Sequence, residues 1–419
     1  MILLASLMLL SCTETIAPPE DRVASQFDEN AFNVGYLHSP RQPVKNAAAL
    51  ASLHINANGG VLGKNFNLIF NVISDLDVAL DNSLVMMDDY GIQALALSWS
   101  SLSLAVLEEA KPRKVVLIAD TATSPLLSNA DDNDLLFRTA PSDIHQGKVI
   151  AKLAREKGAS KSVFVYVKDD VYGESLAEEF EKEFILLGGN SLGKIAIPKD
   201  VEVGFEDYIS QTYALSPDVI IMGLLPTTAN SSFINETLNQ NYDGLYLLPD
   251  ASINSVFVDN LADPRMLKNA FGVSPSTGYN QSKQQQFFAQ NYLDAFGEEI
   301  DIYSANTYDA VMVLALAIEH AGGVNNSTSP TGTMISQSMR EVMNPEGVEV
   351  GPLNIDEAFS LVRSNQMINY NGAYSNNDFD VNGDIAGILA YDIYSFNNQM
   401  SAFDLIEQVI IEIPLPPKK

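Results

Sequence analysis

The sequence predicts an α/β protein made of two doubly wound, parallel-sheet halves, and three observations carry that prediction. From Phe32 onward, short apolar runs alternate with segments of helical periodicity. The alternation falls into two stretches, each about the size of one doubly wound unit, on either side of a loop at 121–145. Hydrophobic residues make up 46% of the 419-residue chain and charged residues 18%, enough apolar material for two or three cores.

In the first stretch FNVGYL is a short strand, and PVKNAAALASLHINANGG is a helix closed by Gly59 and Gly60 at its C-cap. The strand NLIFNVIS follows, then a helix over about 76–89, the strand IQALAL, a helix over about 101–110 and the strand KVVLIAD. In the second stretch GKVIAKLAREKG sets Val149, Ile150, Leu153 and Ala154 on one helical stripe. SVFVYV is a strand and ESLAEEFEKEFILLGG a helix ended by Gly188 and Gly189. SLGKIAIP, PDVIIMG and GLYLLPD are strands, separated by helices near 204–215 and from about 228. Strands at this spacing form parallel sheets covered on both faces. From about 283 the pattern is mostly helical, through QQQFFAQNYLDAF, TYDAVMVLALAIEHAGG, SPTGTMISQSMREVM and IDEAFSLVRSN. The strands GILAYDIYSF and AFDLIEQVII close it.

Asp plus Glu number 53 against 24 Lys plus Arg, a net charge of −29 that repels phosphate backbones and argues against a nucleic-acid partner. The four histidines, at 38, 54, 145 and 320, have no metal-ligand spacing, and one cysteine excludes a cysteine-built metal site. No GxSxG elbow, Walker loop, HExxH or strand-following GxGxxG occurs. The sequence therefore predicts neither an enzyme nor a cofactor. Residues 378–389 begin like a calcium loop, but Leu389 stands where a bidentate Glu belongs, so a polar turn is the better reading.

The apolar run Ile2–Leu10 is too short to span a bilayer, which takes ~20 residues, and suits a secretory signal. Leu9-Leu10-Ser11-Cys12 resembles a bacterial lipobox, which implies acylation of Cys12 and a lipid anchor. Residues 13–30, polar and carrying Pro18 and Pro19, read as a tether.

Ligands in open α/β sheets bind outside the carboxyl ends of strands. There the chain places Ser98, Trp99, Ser100 and Ser101 after IQALAL, and Thr121, Ala122, Thr123 and Ser124 after KVVLIAD. Hydroxyls beside a helix N-terminus bind carboxylates, or simply cap the helix. Tyr172 and Asp250 stand at strand ends in the second half, where Asp250 either neutralises an ammonium group or caps the next segment.

VGYLHSP, AALASLHINANGGVLGK, WSS, ATSPLL, FRTAPSDIHQGKVIAKLA and DDVYGESLAEEF, in that order, resemble the type I periplasmic binding proteins. More narrowly, they resemble the branched-chain amino acid substrate-binding proteins of ABC transporters. INYNGAYSNNDFDVNGD and AYDIYSF extend the resemblance to about residue 400. It implies two lobes joined by three crossings around a ligand cleft. The boundaries become a signal segment at 1–12, a tether at 13–30, one lobe from 31–142 plus 276–385, and another from 143–275 plus 386–419. It also implies that Ser101 binds a ligand carboxylate beside Ser100 and Trp99, and that Ala122 and Thr123 bind both carboxylate and ammonium. Asp250 would pair with the ammonium and Tyr172 would line the side-chain pocket. Leu97-Ser98 before the serine pair, Leu102 after it, and Leu224-Leu225 depart from the family pattern. The expected partners are a small zwitterion, an ABC permease and a membrane touched only through lipid, which places the protein in the periplasm.

Overall fold

The computed structural model describes residues 23–238, 242, 244–277, 282–343, 345–374, 377–396 and 403–414. Cys12 and the rest of the signal segment lie outside them.

Strands β1 (Phe32–His38), β2 (Phe66–Val72), β3 (Ala94–Leu97), β4 (Val116–Ala119) and β5 (Leu136–Arg138) form a parallel sheet in the order β2-β1-β3-β4-β5. Helices α1 (Gln42–Ala57), α2 (Leu76–Asp88), α3 (Ser100–Arg113) and the short α4 (Pro125–Ser128) lie between them in sequence. Strand side chains alternate between faces. Ala94, Ala96, Val116 and Ile118 accordingly enter one core cluster, while Leu95, Leu97, Leu117 and Ala119 enter a second. Both faces of these strands are buried, which is why they read as continuous apolar runs.

After α5 (Asp143–Glu156) the second sheet begins. Its strands β6 (Lys161–Val167), β7 (Asn190–Ile197), β8 (Val219–Gly223), β9 (Leu245–Leu248) and β10 (Ala270–Pro275) are parallel and run β7-β6-β8-β9-β10. Helices α6 (Val171–Leu186), α7 (Glu206–Ala214), α8 (Thr227–Glu236) and α9 (Ser255–Asp259) alternate with them. The chain then returns to the first lobe, where α10 (Lys283–Phe296) and α11 (Ser304–Asn325) pack on α1. Helices α12 (Gly332–Met339) and α13 (Ile355–Arg363) pack on α11, and a small parallel pair, β11 (Val348–Val350) and β12 (Ile368–Tyr370), adjoins α13. Finally β13 (Asn377–Phe379), β14 (Ile385–Phe396) and β15 (Phe403–Ile413) add antiparallel strands to the second sheet.

Two differences from the sequence reading have physical causes. Residues 23–30 are not free tether: Val23 is buried, the Phe27 ring packs tilted against Tyr90 with centroids 4.7 Å apart, and the Gln26 amide pairs with the Phe70 backbone. β13 pairs with the start of β14, and the segment between them lies against the first lobe, where the Arg138 amide donates to the Gly383 carbonyl and Phe137 packs on Phe379. The two strands form a short hairpin whose turn is held by Asp380, which accepts from the Asn382 and Asp384 amides. Strand β10 went unread because Phe271, Val273 and Pro275 alternate weakly with Gly272 and Ser274.

Each sheet has its topological switch between its first and third strands, β1/β3 in one and β6/β8 in the other. The carboxyl ends at those points meet across the seam between the lobes.

Candidate functional site

Asp250 follows β9 and is buried at the seam. Its Oδ1 accepts from Tyr172 at 2.7 Å and from the Gln146 amide at 3.0 Å, and its Oδ2 accepts from Tyr303 at 2.7 Å. Tyr172 stands in the first turn of α6, whose N-cap Asp170 accepts from the Gly173 amide. Tyr303 immediately precedes α11 in the other lobe, with a left-handed backbone at φ 69°. Three donors from two lobes therefore converge on one carboxylate.

A second buried carboxylate lies beside it. Asp143 is the first residue of α5, after the N-cap Ser142, and its Oδ2 accepts from Thr123 at 2.7 Å. Burial, and then the proximity of Asp250, push its carboxyl well above the ordinary carboxylate range. Burial also raises Asp250, against the pull of Tyr303, Tyr172 and Arg41. Both tyrosines are pushed up in turn by burial and by these two aspartates. Asp143 Oδ1 and Gln146 Oε1 are buried with no hydrogen-bond partner. Such groups are costly to leave unpaired.

The residues singled out from the sequence fall along this seam in three ways. Thr123, Tyr172 and Asp250 join one cluster, with Asp143 as the link. Ser101 and Ser100 are next to it: Ser101 Oγ donates across the seam to Asp170 at 3.1 Å, and Ser100 Oγ accepts from the Ser124 amide. Ser124 itself meets Ser175 of α6 at 2.8 Å. The third group points into the first lobe. Ala122 is in the core, its carbonyl accepting from Arg138, and the Trp99 ring packs on the core cluster. Trp99 holds φ 71° where α3 begins, an uncommon conformation for a bulky residue.

Asp143, Gln146, Asp170, Ser175 and Tyr303 escaped the sequence reading. The Ser142–Asp143 pair at a helix start was a readable cap, but nothing local said that Asp143 would meet Asp250, 107 positions later. Among the described residues, no group of three His, Cys, Asp or Glu side chains is placed to hold a metal ion. No described helix is long and apolar enough to cross a membrane. The enclosed pocket lined by Thr139, Asp309, Val313, Tyr370 and Tyr374 lies within the first lobe rather than at the seam. At the seam itself the lobes are in direct contact.

The sequence matches the periplasmic binding protein family over residues 35–358. It is 23% identical over 336 residues to the chemotactic signal transduction system substrate-binding protein BasB of Halobacterium salinarum, covering 78% of this chain and 75% of that one. It is also 23% identical over 261 residues to Glutamate receptor 2.1 of Arabidopsis thaliana, covering 60% of this chain but 28% of the receptor. Among solved structures it is similar to the leucine binding protein LivK of Thermotoga maritima, with TM-score 0.73, 19% identity, and 90% and 97% of the two chains covered. The isoleucine complex of LivJ from Streptococcus pneumoniae gives TM-score 0.70 at 17% identity, with 91% and 99% covered. A solute binding protein of R. palustris in complex with benzoate gives 0.70 at 15%, with 93% and 99% covered. Two doubly wound lobes meeting at their switch points are the fold these proteins share, and the match spans well over half the sequence. The chain belongs to the periplasmic binding protein family, whose members bind rather than catalyse.

Proposed function

We propose that the chain captures a small zwitterion, of the amino acid class, between its lobes and delivers it to an ABC permease. The observation that carries this reading is the buried Asp143–Asp250 pair at the seam, with which no Lys or Arg among the described residues forms a direct ion pair. The ammonium group takes its place among these carboxylates, and the rest of the solute extends along the seam. Charge-assisted hydrogen bonds contribute ~1.5–3 kcal/mol each, so a few supply the roughly −8 kcal/mol of micromolar binding. Tyr172 borders the side-chain pocket. Contacts across the seam, Ser101 to Asp170 and Tyr303 to Asp250, hold the lobes shut, and closure fixes the relative position of the outer lobe surfaces that the permease reads. Acylated Cys12 tethers the protein to the membrane from the periplasmic side. The names of the leucine- and isoleucine-binding neighbours support the solute class.

The test is titration calorimetry against the common amino acids. Asp250→Ala should weaken the best solute by about 10-fold or more, the loss of one charge-assisted contact. Unchanged affinity in that variant would overturn the assignment.

A second reading has one observation in its favour: the Halobacterium relative is named for chemotactic signal transduction. In that case the closed lobes dock on a signal transducer. Deleting the gene would then abolish taxis toward the solute while leaving its uptake intact; loss of uptake favours the permease.

A further inference from the structure

The chemistry of the seam is unequal at its two ends. The hydroxyls that would receive a solute carboxylate already serve carboxylates of the protein: Ser101 donates to Asp170 and Thr123 to Asp143. A hydroxyl has one proton to give. A solute carboxylate that took either bond would leave the displaced aspartate without its donor, and would be repelled wherever that aspartate is ionised.

The cation that acts on Asp143 does not relieve this at Thr123. Arg138 acts on Asp143, yet all five of its N–H donors are committed. They go to both oxygens of Asp384, the Ser128 hydroxyl and the carbonyls of Ala122 and Ser124. Arg41 acts on Asp250 but is bound to Asp301 and the Ile253 carbonyl. Lys199 influences Asp170 through space.

Acceptors without donors lie at the opposite end. Asp143 Oδ1 and the Gln146 Oε1 are both buried and unpartnered, and the Gln146 amide nitrogen is already on Asp250. An ammonium group carries three donors and a positive charge, which matches those acceptors and the two aspartates together.

We propose that the seam selects its solute by the ammonium group alone, so that a primary amine lacking a carboxylate binds about as well as the corresponding amino acid. This rests on the reading that the solute sits beside Asp143 and Asp250. The full-length protein is titrated near neutral pH with matched pairs: alanine and ethylamine, leucine and isoamylamine, lysine and cadaverine. Isocaproate, leucine without its amino group, is the complementary probe.

For whichever amino acid binds, the amine should fall within about threefold in affinity, less than 1 kcal/mol, and isocaproate should not bind. Asp143→Asn and Asp250→Asn should each weaken the amine by about 10-fold or more. An amine bound about 30-fold or more weaker than its amino acid would overturn the inference and leave the proposed function standing, because the carboxylate would then be anchored at the start of α3. If neither member of any pair binds, both readings fall.

Discussion

Arg138 is the residue on which the geometry of the seam most depends. It is buried, and its guanidinium forms a two-pronged pair with Asp384, at 2.6 and 2.8 Å, while holding the carbonyls on either side of Thr123. One side chain thus ties the end of β5 to the turn before β14 and fixes the loop that carries Thr123. Removing one partner of a buried pair leaves the other charged and desolvated, at about 3–5 kcal/mol. Arg138→Met should therefore lower unfolding stability by about that amount in urea titrations, and a loss below ~1 kcal/mol would mean that water takes over the pairing. The sequence showed this arginine within FRTAPSD but had no means of showing its partner, because Asp384 lies 246 positions away.

At the scale of the element, the start of α6 carries the cluster. Asp170 caps it, Tyr172 reaches Asp250, and Ser175 reaches Ser124. This turn sits so close to the end of β8 that a Cβ on Gly173 would stand 2.7 Å from the Gly223 carbonyl oxygen. Gly173→Ala must push the turn outward. We expect about 1–3 kcal/mol of lost stability, as for other overpacked sites, together with weaker solute binding through the displaced Tyr172. Gly188→Ala is the control. Gly188 closes the same helix at φ 79° with nothing near its Cβ, so it should cost only local strain, about 1 kcal/mol, and leave binding unchanged. Equal binding by the two variants would separate Tyr172 from solute recognition. The elements themselves were legible: α6, α11 and the paired sheets follow from apolar periodicity. Tyr303 was not, since a single residue before a helix has no periodic signature.

For the whole molecule, the dominant electrostatic fact is a charge of −29 combined with carboxyls whose burial outweighs the pull of their neighbours. Burial raises Asp120 to about 6 despite hydroxyl donors from Tyr36, Ser98 and Thr307, and Asp309 to about 7. Asp378 rises to about 6, and Asp143, Asp170, Asp250, Asp380 and Asp392 also rise. A group raised on folding contributes stability that is complete below its unfolded value, 3.8 here, and lost as pH climbs through the folded value. Four histidines oppose this. His38, His54, His145 and His320 are all lowered by burial, and their contribution is lost as pH falls below 6.5. Eight aspartates outnumber four histidines, and protonating them also eases self-repulsion. The urea midpoint should thus be higher at about pH 5.5 than at pH 8. The reverse trend would show that the histidines govern.

By itself the sequence determined the class of fold and the two-lobed division, and it pointed to strand ends as the expected place of a ligand. Those follow from local periodicity and from the rule that open sheets bind at their carboxyl edges. Only the tertiary structure decided which groups share the seam. Ser101 with Asp170 and Tyr303 with Asp250, 69 and 53 positions apart, are contacts made when two separately wound lobes close on each other, and Asp143 comes beside Asp250, 107 positions away, when the second lobe folds. No local pattern encodes that closure, because each side chain's partner is set by where the three crossings hold the lobes.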